Sequence, residues 1–348
     1  MVRVGIIGCG KIAQVRHIPE YVDNPDAQIV ALYDTNAARA AGLAGALHAK
    51  AYATLDELLA DPGIDAVSVC VANNAHCEVT VKALEAGKHV LCEKPMATTI
   101  EECETMVKCA ERCGRILMIG QNQRLARAHV KARELIAGGA IGKVITFRTT
   151  FGHSGPENWS VDPGRNTWFF DRSKAAFGVM ADLGIHKTDL IQYLIGQNVI
   201  ASTSRLLTLD KTDANGNPIS LDDNSFCIYE MSGGATGTMT ASWTYYGEED
   251  NSTVIYGTEG IMRIYDVAGH SIVINHAEGG KTMMDLEAIQ TNDNQTKSGI
   301  IDAFVDCLVR DVEPLIPAKG VLAAMRAVFA SIKSSEEGRR IVIPENNL

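Results

Sequence analysis

The stretch Val2-Arg3-Val4-Gly5-Ile6-Ile7-Gly8-Cys9-Gly10-Lys11-Ile12-Ala13 decides the fold. Its first half is a β-branched run of the kind that forms a buried strand, and its second half is the pattern G-x-G-x-x-A opening a helical stretch. Glycine at Gly8 and Gly10 lets the backbone turn tightly and approach a pyrophosphate. The free amides of the following helix, at Gly10, Lys11 and Ile12, then face the anion, with Cys9 inside the turn. Two glycines near an N-terminus are a weak signal alone. Their position between strand and helix strengthens it, as does Asp34, which closes the next strand where an acid meets the adenosine ribose hydroxyls. A carboxylate there disfavours a ribose carrying a 2'-phosphate, so NAD is expected over NADP. Arg39 lies farther on, within reach of the same ribose. The bland alternative makes Asp34 the N-cap of the next helix and Arg39 an exposed helix residue.

Outward from this turn, strands expected at 2–7, 28–33, 50–52, 66–71, 89–92 and 115–119 alternate with helical stretches at 37–47, 55–59, 75–86 and 100–113. Gly87 and Gly114 stand where helix C-caps belong. This alternation is the pattern of a doubly wound parallel sheet, and it closes a dinucleotide-binding domain over residues 1–122. Residues 123–348 read differently. The clearest strand, 235–245, puts Thr236, Thr238, Thr240, Ser242 and Thr244 on one face and Gly237, Met239, Ala241, Trp243 and Tyr245 on the other. Further strands are expected at 144–151, 200–209, 226–231, 253–256, 262–265 and 341–343, and helices at 300–309 and 320–335. The expected class is α/β plus α+β: a Rossmann domain, then a substrate domain on a mostly antiparallel sheet, with the C-terminal segment packing back across the first domain.

Composition narrows the function. Forty-two acidic against 32 basic residues among 348 give a formal net charge of -10, which opposes nucleic acid and anionic membrane as partners. The nine cysteines are an odd number, and Cys9, Cys70, Cys77, Cys92, Cys103, Cys109 and Cys113 crowd the first third. They read as free thiols in a reducing cytoplasm, because Cys103, Cys109 and Cys113 lack zinc-knuckle spacing and no histidine pair follows. No metal is expected. Neither a secretory leader nor an apolar run of membrane-spanning length is visible, so a soluble cytoplasmic protein is expected.

A second stretch is more specific: Gly87-Lys88-His89-Val90-Leu91-Cys92-Glu93-Lys94-Pro95. Together with Ala72-Asn73-Asn74-Ala75-His76, the segment from Gly120 to Arg124, and the spacing D-x-G-x-H-x-x-D at Asp182, Gly184, His186 and Asp189, it resembles one known family. The chain resembles, along nearly its whole length, the glucose-fructose oxidoreductase, inositol dehydrogenase and rhizopine-catabolism (Gfo/Idh/MocA) oxidoreductases. The resemblance implies an open-faced second sheet that pairs subunits into a homodimer or homotetramer, and a peptide before Pro95 that is often cis. It implies cofactor contacts from Ala72, Asn73, His76, Glu93, Lys94 and Asn122, and substrate contacts from Lys94, Arg124, Trp168, Asp182 and His186. The sequence departs from the family at Ala72, where threonine and proline are usual. It departs again at Ala176-Phe177-Gly178, where a run of glycines is usual.

Physical reading of the same residues points to acid-base chemistry. Lys94 ends a strand at the sheet edge where ligands of doubly wound folds bind, and Pro95 fixes the backbone behind it. Asp182, His186 and Asp189 fall on one stripe of a helix whose other side is apolar. With an ordinary pKa near 6.5, His186 is able to take a hydroxyl proton near neutral pH, while Asp182 orients the substrate. The bland alternatives are a lysine solvated beside a turn and a polar stripe facing water; for Trp168, with Phe169, Asn166 and Asp171 a sugar platform, the alternative is a core residue. The expected activity is hydride transfer between NAD and a ring carbinol of a sugar, inositol or sugar derivative. Two alternatives are a retained-NAD lyase, epimerase or glycosidase and, from another class, a ligand-sensing regulator.

Overall fold

The computed structural model describes residues 1–289 and 297–344; the remainder of the expected second domain lies outside the described residues. The β-branched runs of the first third form β1 (Val2–Ile7), β2 (Ala27–Tyr33), β3 (Lys50–Ala51), β4 (Ala66–Val69), β5 (His89–Cys92) and β6 (Leu117–Ile119). All pair in parallel, in the order β3-β2-β1-β4-β5-β6. Every residue of β4 is buried, as a strand covered on both faces requires. The order reverses between β1 and β4, and the crevice at such a reversal is where doubly wound sheets hold ligands. The crossover helices start and stop where local chemistry demands. Thr99 and Glu102 make a capping box at the start of helix Ile100–Cys113, worth about 1 kcal/mol, and Gly114, at φ 59°, ends it.

The second sheet has nine strands: β7 (Val144–Gly152), β8 (Val199–Leu207), β9 (Asn224–Met231), β10 (Thr236–Ser242), β11 (Thr253–Gly257), β12 (Gly260–Val267), β13 (His270–His276), β14 (Lys281–Met284) and β15 (Ile341–Val342). Their order is β14-β13-β12-β11-β7-β10-β9-β8-β15, antiparallel except for the parallel pair β7 and β10. That pair is the parallel exception in the mostly antiparallel sheet expected from the sequence. The strand expected at 235–245 ends earlier, at Ser242, so Trp243 sits just past it and is fully buried. Period-two alternation holds within it, with Thr236 and Thr238 exposed and Gly237 and Met239 buried. Strands β13 and β14 were not expected from the sequence.

Among the described residues, helices pack against this sheet. Helix Ile185–Ile195 packs on β7, and helix Ala318–Glu337 packs on β8 while also touching helix Ile100–Cys113 and β6. Its serines face the strand: Ser331 Oγ lies 2.9 Å from Ser202 Oγ, and Ser334 Oγ accepts from Ser204 N at 2.9 Å. Helix Ile300–Arg310 lies against β1 and helix Ile18–Asp23, and Asp302 accepts from Asn24 Nδ2 at 2.7 Å. The chain therefore returns to the first sheet before it ends. Among the described residues no helix is long and apolar enough to cross a membrane.

Candidate active site

A cleft of about 870 Å³, walled by both sheets' loops, opens at the carboxyl ends of β1 and β4. Gly8 sits at φ +91°, and a Cβ there would lie 2.5 Å from the Cys70 carbonyl oxygen. Only glycine lets β1 turn this close to the end of β4. At Gly10 a Cβ would meet nothing within 4 Å, because the residue faces open cleft. The helix then begins, with Gln14 N donating to Gly10 O at 3.2 Å. Asp34 is held over the turn by Cys9 N, which donates to Oδ2 at 2.6 Å, and by Asn36 N, which donates to Oδ1 at 2.7 Å. Its carboxylate still lines the cleft, as do Lys11, Ile12 and Arg39. An open glycine edge, free helix amides and an acid at the ribose position fit a dinucleotide.

Past the turn the helix is π-wound over Ala13–His17 before it continues as Ile18–Asp23. His17, fully buried, directs Nε2 at Glu93 Oε1 (2.8 Å) and Nδ1 at Ser68 Oγ (3.1 Å). Burial pushes the Glu93 carboxyl up, but the His17 hydrogen bond and the nearby His17, Arg16 and Lys94 charges overcome it and hold the group at about 2. Glu93 also accepts from Lys94 N at 3.2 Å. A Cβ on Gly120 would stand 3.2 Å from this carboxylate, so glycine leaves it room.

The Lys94–Pro95 peptide is cis. Lys94 Nζ crosses to the second domain and donates to Asp182 Oδ1 and to the Asp182 carbonyl oxygen, both at 2.8 Å. The other carboxylate oxygen of Asp182 accepts from Trp243 Nε1 at 3.0 Å. Burial pushes the Asp182 carboxyl up, yet Lys94, His153 and the Trp243 hydrogen bond outweigh it and hold the group below the usual carboxylate range. His186 is buried beside them, and burial together with the Lys94 charge lowers its pKa well below that of a free histidine. Its Nδ1 has no hydrogen-bond partner among the described residues. His153 is also buried at the cleft wall and lowered by burial, its Nδ1 accepting from Gly155 N at 3.0 Å.

Several expectations change with the fold. The three-residue polar stripe does not exist as a single face, because Asp182 lies in a π-wound turn, Met180–Gly184, ahead of the α-helix. Asp182 and His186 line the cleft, whereas Asp189 points away from it. Arg124, expected at the substrate, is not among the residues lining the cleft. Its Nε donates to Asp189 Oδ2 at 2.6 Å, Nη2 to Asp189 Oδ1 and, at 3.1 Å, to Gly320 O, and the Tyr193 ring lies 5.6 Å away. A buried carboxylate has captured the guanidinium. Burial pushes Asp189 up, opposed by that arginine. The ordinary pKa expected for His186 is likewise corrected, since the ring is buried next to an ammonium.

The remaining residues divide between lining and bracing. Ala72, Asn73, His76, Glu93, Asn122 and Trp168 all line the cleft. His76, however, sets Nδ1 2.7 Å from the Pro95 carbonyl oxygen and Nε2 3.2 Å from that of Val71, and the nitrogen that carries the proton donates to its carbonyl, so the ring braces the Lys94 turn. Asn73 donates to Ala175 O at 2.9 Å, joining the two domains. Cys9 is buried and turned toward Tyr33 O, with burial pushing its thiol up to about 12; only its amide faces the site. Asp171 caps Ser173 instead of lining the cleft. Trp168 stacks on Phe169 at 4.0 Å, and both line the cleft with Phe177. Trp243 and His153 were not singled out from the sequence. The alternation of β10 placed Trp243 on the inward face, but nothing local reveals that its indole meets Asp182.

Comparison with known proteins follows this geometry. Residues 2–121 match the model described as oxidoreductase family, NAD-binding Rossmann fold, and residues 129–263 match the GFO/IDH/MocA C-terminal domain. The chain is 33% identical to levoglucosan dehydrogenase of Pseudarthrobacter phenanthrenivorans over 58% of its own length and 56% of that protein's. It therefore spans little more than half of that relative. It is 25% identical to myo-inositol 2-dehydrogenase of Thermotoga maritima over 99% of each chain. The fold matches a levoglucosan dehydrogenase structure in complex with NADH and levoglucosan at a TM-score of 0.86 and 23% identity, over 99% of both chains. The turn at Gly8 and Gly10, the two-sheet architecture and the two matched domains agree, and the chain belongs to the GFO/IDH/MocA oxidoreductase family, with an NAD-binding Rossmann domain.

Proposed function

We propose that this protein is an NAD-dependent dehydrogenase acting on a ring carbinol of a sugar, inositol or sugar derivative. The observation that carries the reading is the Lys94–Asp182 contact at 2.8 Å beside buried His186, in the cleft that holds the Gly8–Gly10 turn. NAD, when bound, supplies the carbon that accepts the hydride. Two Lys94 protons are held by Asp182, and the third is left to donate to the substrate oxygen. Its charge polarises that oxygen and makes the hydroxyl more acidic. As the C–H electron pair departs, the O–H proton passes to the neutral His186 imidazole, and the ring carbon becomes a carbonyl. Asp182, itself anchored by Trp243, keeps the ammonium aimed at the reacting centre.

The substrate class is supported by the aromatic wall of Trp168, Phe169 and Phe177, which suits the C–H face of a ring, and by the names of the relatives. The test is to incubate purified protein with NAD and, separately, levoglucosan, inositols and methyl glucosides, following NADH absorbance and product. NADH formation with one of these supports the reading; no NADH and no product with any of them overturns it. Product without free NADH, from enzyme carrying bound nucleotide, would move the chemistry to the retained-cofactor type.

The same reading includes a cytoplasmic homo-oligomer formed through the uncovered face of the second sheet. There Phe226 and Ile228 are exposed, opposite Thr240 and Thr238 on β10. Light scattering on wild type and Ile228→Glu tests it, and a monomeric wild type at micromolar concentration would refute it.

A further inference from the structure

Arg39 stands at the ribose end of the cleft, on the first turn of helix Ala37–Leu47, and its guanidinium is already engaged. Nη2 donates to Asp162 Oδ1 at 3.0 Å and to Oδ2 at 2.8 Å. Asp162 belongs to the second domain, on the segment that leaves β7, and it lines the same cleft as Asp34 and Arg39. The segment is held in place. Lys211 Nζ donates to Ser154 O at 2.6 Å and pairs with Glu157 in a mostly buried ion pair. Gly164 N donates to Glu157 O at 2.7 Å, and Ser160 Oγ donates to Asp162 O at 2.8 Å. Pro156, Trp159, Ser160 and Val161 of this segment also line the cleft.

We propose that Asp162 sets the dinucleotide preference of this enzyme by occupying Arg39, so that NADP finds no free arginine at its 2'-phosphate. Discrimination between two ligands is a difference of affinities, and it is achieved by repelling one as well as by attracting the other. A free arginine at this place is the group that accommodates a 2'-phosphate in Rossmann domains. Asp34 and Asp162, one carboxylate from each domain, line the same cleft as Arg39, and Asp162 already pairs with its guanidinium. A 2'-phosphate would have to displace Asp162 from Arg39 and then sit beside two carboxylates. The hydroxyl of NAD carries no charge and is compatible with both. Lys11 also lines the cleft, but it belongs to the pyrophosphate turn. The arrangement also adds a contact that spans the cleft mouth between the two domains. Asp162 is 78% exposed, so the contact is screened and contributes modestly to folding. Its consequence lies in which cofactor the site accepts.

Equilibrium binding tests this without any sugar substrate, so the outcome is independent of the proposed activity. Dissociation constants for NAD and for NADP are measured by calorimetry on wild type, Asp162→Ala, Arg39→Ala and the double variant. Asp162→Ala is expected to tighten NADP about tenfold relative to NAD, which corresponds to about 1.4 kcal/mol. The double variant is expected to lose that gain, because the released arginine is what receives the phosphate. An unchanged NADP to NAD ratio in Asp162→Ala would overturn the proposal. A gain of the same size without Arg39 would overturn it too, since removal of a negative charge would then suffice. Asp162→Asn, which keeps the side-chain shape, is expected to reproduce the effect of alanine in the same direction.

Discussion

Lys94 and Asp182 meet at 2.8 Å across the boundary between the two sheets, one at the end of β5 and the other in the π-wound turn before helix Ile185–Ile195. Their pair is largely buried, at 16% and 14% side-chain exposure, and each charge is the other's main compensation. Widened π turns recur at functional sites because they re-aim a side chain without ending the helix. Here the turn leaves Asp182 and His186 toward the cleft and Asp189 toward Arg124.

Removing the ammonium is expected to cost turnover and not cofactor. Lys94→Ala should lower kcat by at least about 100-fold, the scale of general acid-base catalysis, with NAD binding changed little. Trp243→Phe removes a hydrogen bond to a buried carboxylate and should lower kcat in the same direction by a smaller factor. Steady-state kinetics with NAD titration separates the two effects, and near wild-type turnover in Lys94→Ala would remove it from the reaction.

The pH profile should report His186. Burial and the Lys94 charge lower its pKa well below the ordinary value, so the base is neutral at neutral pH and is lost only when pH falls through that lowered pKa. The acid limb of kcat/KM is therefore expected below about 6.5, the value of a free histidine. A limb at or above that value would exclude His186 as proton acceptor.

Arg124→Ala is expected to damage stability and leave substrate affinity nearly intact. The substitution strands Asp189, which is 1% exposed, and loss of one partner of a buried pair costs about 3–5 kcal/mol. Urea unfolding and KM, measured under conditions where the variant is folded, distinguish the roles. A large rise in KM with unchanged stability would return Arg124 to the substrate.

Lys187, next to His186 in sequence, is fully buried and donates to Asn251 O at 2.9 Å. Burial lowers its pKa to about 7, with Asp250 and Glu249 opposing. The unfolded chain, with a lysine near 10.4, then binds more protons than the folded one between about pH 7 and 10. Stability should rise with pH across that window, by up to about 1.4 kcal/mol per unit from this group. Lys187→Met should flatten the slope in urea unfolding series; identical slopes would contradict the buried-lysine assignment.

How much of this was legible in the sequence depends on how local the cause is. Parallel strands and their crossover helices follow from short-range pattern, and so do the caps at Thr99 and Gly114. The strand β10 was also readable, because alternation of threonine with small or apolar residues has no helical counterpart. Its parallel pairing with β7 was not, since register between strands separated by so many residues leaves no local mark.

Local sequence accounts for the dinucleotide turn, the acid at Asp34 and the order of a lysine, an aspartate and a histidine along the chain. Those depend on backbone freedom at glycine and on residue type, which are local properties. Which charges find each other is a property of the folded chain. Folding gave Lys94 to Asp182, diverted Arg124 to Asp189, set Trp243 behind the Asp182 carboxylate and carried Asp162 across the cleft to Arg39. Each of these is an electrostatic match over long sequence separations. Burial makes the first three compulsory, since a charge or indole N–H removed from water must be compensated by whatever partner the fold brings near.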